Sequence, residues 1–345
     1  MKTFLAIMAS ALHTFVPMLV TLMALGVSAA QPTTASPSAK PSYDPTKPMT
    51  NAAPIVIPAG PILADNPSAD IARSGKGKAF IWEIKSKTTV AYLYGTIHVG
   101  KRTFYPLPAT VEAAFKQSQL LVVEADISNS DGLGDIETII NYKAPDSLDK
   151  HIPKPLFERL KVQLARLSVP LEAVKPMKPF LIGGFLAVAE FSRLGYDMNF
   201  GVDGYLINKA KEDKKPILEL ESQAGQLRML NEMSPVLQEA FLENAISALE
   251  SGRSPDQVTG MVNAWQSGDV NLMREVAKGV NKGMRMTDQL DEVLVHGRHA
   301  AMVKKIESYL EGKVPHFVAI GSLHLVGPRG LVEILKARGY EVQQL

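Results

Sequence analysis

The chain contains no cysteine. It therefore has no disulfide and no thiol through which a lipid could be attached at a processed N-terminus. Export without disulfides is compatible with a bacterial periplasm. A strong charge of either sign is also missing: 37 Lys and Arg stand against 35 Asp and Glu, a formal net of +2. The basic residues are scattered and form no stripe interleaved with aromatics, so nucleic-acid binding has no support. Beyond the N-terminal segment, no run is apolar enough to span a bilayer. Three catalytic signatures are absent as well: a His-Glu-x-x-His helix, a Gly-x-Ser-x-Gly elbow and a phosphate loop. Histidine is sparse, with seven in 345 residues, so where each one falls carries information.

What is present begins with a secretory pattern. Lys2 supplies a positive start, an apolar stretch follows, and "LGVSAAQP" closes it with small residues. Val27 and Ala29, or Ser28 and Ala30, fit the positions read by signal peptidase, which sets residues 1–30 as a signal peptide. An uncleaved N-terminal membrane anchor is the alternative. The signal reading predicts a periplasmic or secreted protein of a Gram-negative bacterium, with no stable membrane span once cleavage has occurred. Residues 31–75 are dense in Pro, Ala, Ser and Thr, without helical or strand periodicity. Such a segment cannot bury enough surface to offset its ordering entropy, and it is expected to be a disordered linker.

The rest, residues 76–345, has the apolar content of a globular domain: the whole chain is 46% apolar and 21% charged. "AFIWEIK" and "TVAYLYG" alternate and carry β-formers, so they read as a hairpin. "QLLVVEAD", "KPILELES", "HFVAIGSLHL" and "YEVQQL" add four further strands. Helical spacing marks "LPATVEAAFKQS", "KPLFERLKVQLARL", "PFLIGGFLAVAEFSRLG" and "VDGYLINKAKED". From Ser222 to about residue 310 the pattern is a run of helices broken at Gly, Ser and Pro. The expected fold class is α/β or α+β, a mixed central sheet with flanking helices and a helical insertion at about 150–310.

Two strands end in the same way. "LYGTIHVG" carries Gly95 and His98; "FVAIGSLHLVG" carries Gly321 and His324. The two glycines are expected to permit a sharp turn or a close approach. Two more strands end in acids, at Glu124 and at Glu221. Side chains just past the carboxyl ends of strands line a crevice in open α/β sheets. His98, Glu124, Glu221 and His324 thus make a first shell for a divalent metal and equally a general acid–base set. Asp203 at a helix start reads as either an N-cap or a member of this site. His296 and His299 lie three apart at the start of a helix in polar surroundings and are expected at the surface. His151 and His316 read as loop and strand-entry residues, and His13 falls within the signal.

These stretches, with "LLVVEAD" and "GVDGYLINKAKEDKKPILELESQAGQ", resemble the TraB/GumN/Tiki family of metal-dependent hydrolases over nearly all of residues 79–345. The resemblance implies histidines of the site at His98 and His324, its first acid at Glu124, and a Leu-Glu-Ser element at Leu220, Glu221 and Ser222 with Gln226. It also implies a role for Arg298, in the segment before the last strong strand, either at a developing oxyanion or paired with an acid. His98, His324, Glu124 and Glu221 are then the expected ligands of a divalent ion (Mn, Co or Zn), and Glu124, Glu221 and Arg298 the catalytic groups. The animal Tiki members are metal-dependent proteases, so the implied substrate is a peptide, with a small ester as the other class. More distant likenesses to erythromycin esterases and to haem-binding ChaN proteins imply a metal-independent hydrolase or a binding protein as alternatives. The GumN name adds a further expectation, a non-catalytic assembly role in envelope polysaccharide export. Nothing in the sequence sets the oligomeric state.

Overall fold

The computed structural model describes residues 78–128, 134 and 136–345. The signal and the linker expected at 1–30 and 31–75, with His13, lie outside the described residues. Among the described residues one sheet of six strands is formed: β1 (Ile81–Lys85), β2 (Val90–Thr96), β3 (Leu120–Val123), β4 (Ile217–Glu219), β5 (His316–Gly321) and β6 (Glu341–Gln344). Their order is β4-β3-β5-β2-β1-β6. β2, β5, β3 and β4 run parallel; β1 is antiparallel to both β2 and β6. The mixed sheet with flanking helices matches the α/β expectation.

The burial of the central strands follows from their sequences. β5 (HFVAIG) is buried at every position, and β2 (VAYLYGT) at all but its first. Strands covered on both faces lose the apolar–polar alternation and become continuous apolar runs, as parallel strands in α/β folds do. β1 alternates more, because it lies nearer the edge.

In chain order the helices are α1 (Ala109–Gln117), α2 (Ile136–Ile140), α3 (Lys154–Arg166), α4 (Leu171–Val174), α5 (Pro179–Arg193), α6 (Val202–Glu212), α7 (Gln223–Asn231), α8 (Pro235–Glu250), α9 (Ser254–Ser267), α10 (Val270–Asn281), α11 (Thr287–Leu294), α12 (His299–Leu310) and α13 (Leu331–Ala337). Proline at the first turn opens α5, α8 and α9, where its missing N–H costs no helical bond. Ser234 caps α8 by accepting from the Leu237 amide, and Asp269 caps α10 through Leu272. Within the region 150–310, the helices are interrupted by β4, the strand expected at "KPILELES". β4 joins the sheet beside β3, which brings Glu221 to the same end of the sheet as Glu124. No helix of the described residues is long and apolar enough to cross a membrane.

Neither motif glycine adopts a left-handed backbone. Gly95 is required for packing. A Cβ there would lie 2.5 Å from the Phe80 ring and 3.1 Å from the Ser322 Cα, so the backbone of the second motif presses directly against the first.

Candidate functional site

Register places the chemistry. β2 pairs with β5 so that Gly95 faces Ile320 and Thr96 faces Gly321. β3 pairs with β5 so that Val123 faces Ala319. The segments leaving these three neighbouring parallel strands therefore emerge side by side at one edge of the sheet, carrying His98, His324 and Glu124. Glu124 is tied into that edge. Its amide donates to the Ala319 carbonyl at 3.1 Å, and its Oε2 accepts from the Gly321 amide at 3.1 Å. Glu221 joins through its own amide, which donates to the Glu124 carbonyl at 2.8 Å.

The loop carrying His98 is stitched to the entry of α6. Gly100 and Asp197 exchange two backbone bonds of 2.9 Å, and the Val202 amide donates to the Ile97 carbonyl at 2.9 Å. Gly201 makes this approach feasible, since a Cβ there would stand 2.4 Å from the His98 carbonyl oxygen. The result brings Asp203 against His98. Asp203 Oδ2 lies 2.6 Å from His98 Nδ1, and Oδ1 accepts from the Thr96 hydroxyl at 2.7 Å. Asp203 is thus not an N-cap: Gly201 holds that position, and the carboxylate is spent on the site. Thr96 was not anticipated. The only signal for it was a hydroxyl two residues before a candidate histidine in an otherwise apolar strand.

Arg298 occupies the middle of the remaining groups. Nη1 donates to the Leu294 carbonyl at 2.8 Å and to His324 Nε2 at 3.1 Å. Nη2 donates to Glu124 Oε1 at 2.5 Å and also reaches Glu221 Oε2. Nε is shared between the two Glu221 oxygens at 3.1 and 3.0 Å. All five guanidinium hydrogens are accounted for. Gln226 Nε2 bridges the same carboxylates, at 2.9 Å from Glu124 and 3.1 Å from Glu221. Glu124, Arg298 and His324 are buried, whereas the Glu221 side chain is one-fifth exposed.

The electrostatics follow from this packing. Burial alone would raise the Glu124 pKa. The Arg298 guanidinium, helped by His324 and His98, overrides it and holds the carboxyl at about 2. Burial likewise opposes the charge on Arg298, and the two glutamates hold its pKa above the ordinary value. For His98, burial lowers the pKa, but the Asp203 carboxylate outweighs it and the net shift is upward. For His324, burial lowers it, Arg298 adds to that, and the attraction of Glu124 does not restore it.

The residues expected from sequence fall as follows. His98, Glu124, Glu221, His324 and Arg298 come together at one end of the sheet, with Asp203 behind His98. Their arrangement is not a set of ligands around one point. Among the described residues, no group of three or more imidazole and carboxylate side chains is placed to hold a metal ion. The donor types suit a divalent ion, but the Arg298 guanidinium already takes up Glu124, Glu221 and His324 Nε2, so the residues as placed do not fit one. His299, expected at the surface, is buried. It sits on the apolar stripe of α12 with Met302, Val303, Ile306 and Leu310, and its Nε2 lies 3.0 Å from His324 Nδ1. The polar "HGR" before it masked that stripe. His296 is half-buried, edge-on to His299 at 5.3 Å between ring centroids. His151 is exposed, stacked on Tyr142 and 2.7 Å from Asp146. His316 opens β5 and is buried there.

The chain is 27% identical over 252 residues to the "Uncharacterized protein YbaP" of Escherichia coli (strain K12), covering 71% of this chain and 87% of that one. The Shigella flexneri protein of the same name is 27% identical over 253 residues, 71% of this chain and 88% of its own. "Metalloprotease TIKI1" of Danio rerio is 23% identical over 314 residues, 77% of this chain but 63% of that protein. No solved structure matches. The TraB/PrgY/gumN family profile matches residues 80–344, which include both Gly-x-x-His ends and every side chain of the cluster, and the chain belongs to that family.

Proposed function

We propose that this protein is a hydrolase acting at a carbonyl carbon, with peptides as the first substrate class and small esters as the second. The observation that carries the reading is the buried Asp203–His98 pair beside the Glu124–Arg298–Glu221 cluster. A carboxylate on Nδ1 leaves Nε2 as the basic nitrogen of the neutral ring and stabilises the imidazolium that forms when it takes a proton. His98 is then the general base that removes a proton from an attacking water, and Asp203 holds its orientation. Glu124 stays ionised under Arg298 and keeps the base in an anionic surrounding. Peptides come first because relatives carry the name metalloprotease. Export to the periplasm or beyond fits the N-terminal pattern of charge, apolar run and small residues.

A metal-dependent form of the same reading draws on His98, His324, Glu124 and Glu221 with Mn, Co or Zn. The names of the TIKI relatives favour it. The guanidinium standing among those donors opposes it. One experiment separates the forms: hydrolysis of a peptide and ester panel by the parent, His98→Ala and Asp203→Asn, each after chelator treatment and after addition of each metal. The base reading expects chelator-resistant activity that both variants lose. The metal-dependent form expects activity only with added ion. Activity unchanged in His98→Ala overturns both.

A further inference from the structure

We propose that His299 is a positioning residue that holds the His324 ring by accepting from its Nδ1–H, so that the His324 Nε2 lone pair stays aimed at the Arg298 guanidinium inside the Glu124–Glu221 cluster. The inference deepens the hydrolase reading and rests on it for its functional consequence. Its structural content stands on hydrogen-bond chemistry alone.

The two imidazoles form a chain with fixed ends. His299 Nδ1 lies 2.8 Å from the Arg329 carbonyl oxygen, which can only accept. At the other end, His324 Nε2 lies 3.1 Å from Arg298 Nη1, which can only donate. Between them, His299 Nε2 and His324 Nδ1 are 3.0 Å apart. The Arg329 oxygen therefore requires a proton on His299 Nδ1. The guanidinium requires a bare His324 Nε2, so the proton of His324 must be on Nδ1. That proton needs an acceptor, and the bare Nε2 of His299 is the atom in reach. One arrangement of protons satisfies all three contacts, and both rings are neutral in it. Burial, which pushes the His299 pKa down to about 4, is consistent with this.

The anchor of the chain is itself secured. The Gly330 amide donates to the Gly327 carbonyl at 3.0 Å, closing the turn that carries Arg329. The Arg329 side chain reaches Glu292 on α11 at 2.6 Å. His299 is the first residue of α12, so the turn, α11 and α12 together aim one imidazole at another. Contacts that fix the tautomer and orientation of a functional imidazole usually cost about 10- to 100-fold in affinity or activity when they are lost.

The test is a long-range proton–nitrogen NMR correlation on the full-length, 15N-labelled chain near neutral pH, with the His324 ring assigned by its loss in His324→Gln. The parent is expected to show His324 protonated on Nδ1 and bare at Nε2. His299→Leu removes the acceptor and leaves the buried Nδ1–H without its partner while Arg298 still faces Nε2, so the His324 Nδ1–H signal should shift from its parental position, with hydrolysis falling about 10- to 100-fold. His299→Gln is the rescue: its amide oxygen accepts from Nδ1–H and its amide nitrogen donates to the Arg329 carbonyl, so the parental Nδ1–H signal should return. A parent protonated on Nε2 overturns the proposal. So do His324 ring signals that stay at their parental positions in His299→Leu. If His299→Leu does not fold, the parent and His299→Gln spectra decide. Absence of any hydrolysis would count against the proposed function while leaving the tautomer result to stand on its own.

Discussion

The two Gly-x-x-His ends look alike in sequence and are opposites in the folded chain. His98 meets a carboxylate, Asp203, at 2.6 Å, and its pKa rises despite burial. His324 meets a guanidinium and a second imidazole, and burial with Arg298 drives its pKa well down. One ring is prepared to take a proton and the other to stay neutral. A pair of titratable groups whose surroundings push their pKa values apart is the general way one fold separates acid from base work. The repeated motif therefore supplies two imidazoles of the same reach. The residues brought in by α6 and α12 give them different chemistry.

The largest test of this contrast is removal of Arg298. Arg298→Met leaves Glu124 and Glu221 facing each other without a cation. It should destabilise the fold by about 3–5 kcal/mol, the usual cost of breaking a buried ion pair from one side. The His324 pKa should rise in the same variant. Urea unfolding measures the first effect and NMR titration the second; an unchanged His324 pKa would mean that burial alone sets it.

Asp203→Asn attacks the other half. The His98 pKa should fall, because burial remains and the carboxylate is gone. Hydrolysis should drop by about 100-fold or more, the contribution expected of a positioned general base. A variant with the parent's pH–rate profile would remove Asp203 from the site.

Acid should expose the difference without mutation. His299, at about 4, and His324 have folded pKa values below the unfolded value near 6.5. Between those values the unfolded chain binds protons that the folded chain refuses, so stability falls as pH falls, by up to about 1.4 kcal/mol per pH unit for each histidine. His98 has the opposite sign. Its contribution is complete below about 6.5 and is lost as pH rises through its raised folded value. Denaturant melts from pH 8 to 4 should therefore peak near the ordinary histidine pKa and fall on the acid side. A flat acid limb would contradict the buried, neutral state of His299 and His324.

Two smaller effects complete the series. Thr96→Val deletes one hydrogen bond to Asp203 and should cost about 1 kcal/mol. His151→Ala, at an exposed histidine away from the cluster, should stay within about 0.5 kcal/mol of the parent. Both are read from the same unfolding curves.

Much of this was legible before any coordinates. The strands announced themselves as β-branched and aromatic runs, and four of them ended in the groups that meet. The charge network was not legible, because its partners are far apart in the chain: Arg298 contacts Glu221 and Glu124, separated from it by 77 and 174 residues. Periodicity speaks for faces of one element and is silent about which distant guanidinium fills a cluster of acids. His299 shows the limit from the other side. Its neighbours at i+3, i+4 and i+7 are apolar, yet the polar residues preceding it suggested exposure. β4 was legible as a strand leading to Glu221, but its three residues gave no hint of its place at the edge of the sheet beside β3.

The position of β5 has a consequence for how the molecule is made. It is the third strand of six across the sheet, yet Ala91 of β2 pairs with His316, 225 residues further along. While the nascent polypeptide is shorter than this, β2 and β3 have no common neighbour, and both present open backbone edges toward the gap. Such edges recruit other strands, including those of other chains. Contacts of this sequence separation also slow folding. The sheet can close only after β5 has been synthesised, so a chain shortened before His316 should accumulate as aggregate, with two unpaired strand edges in place of a closed sheet.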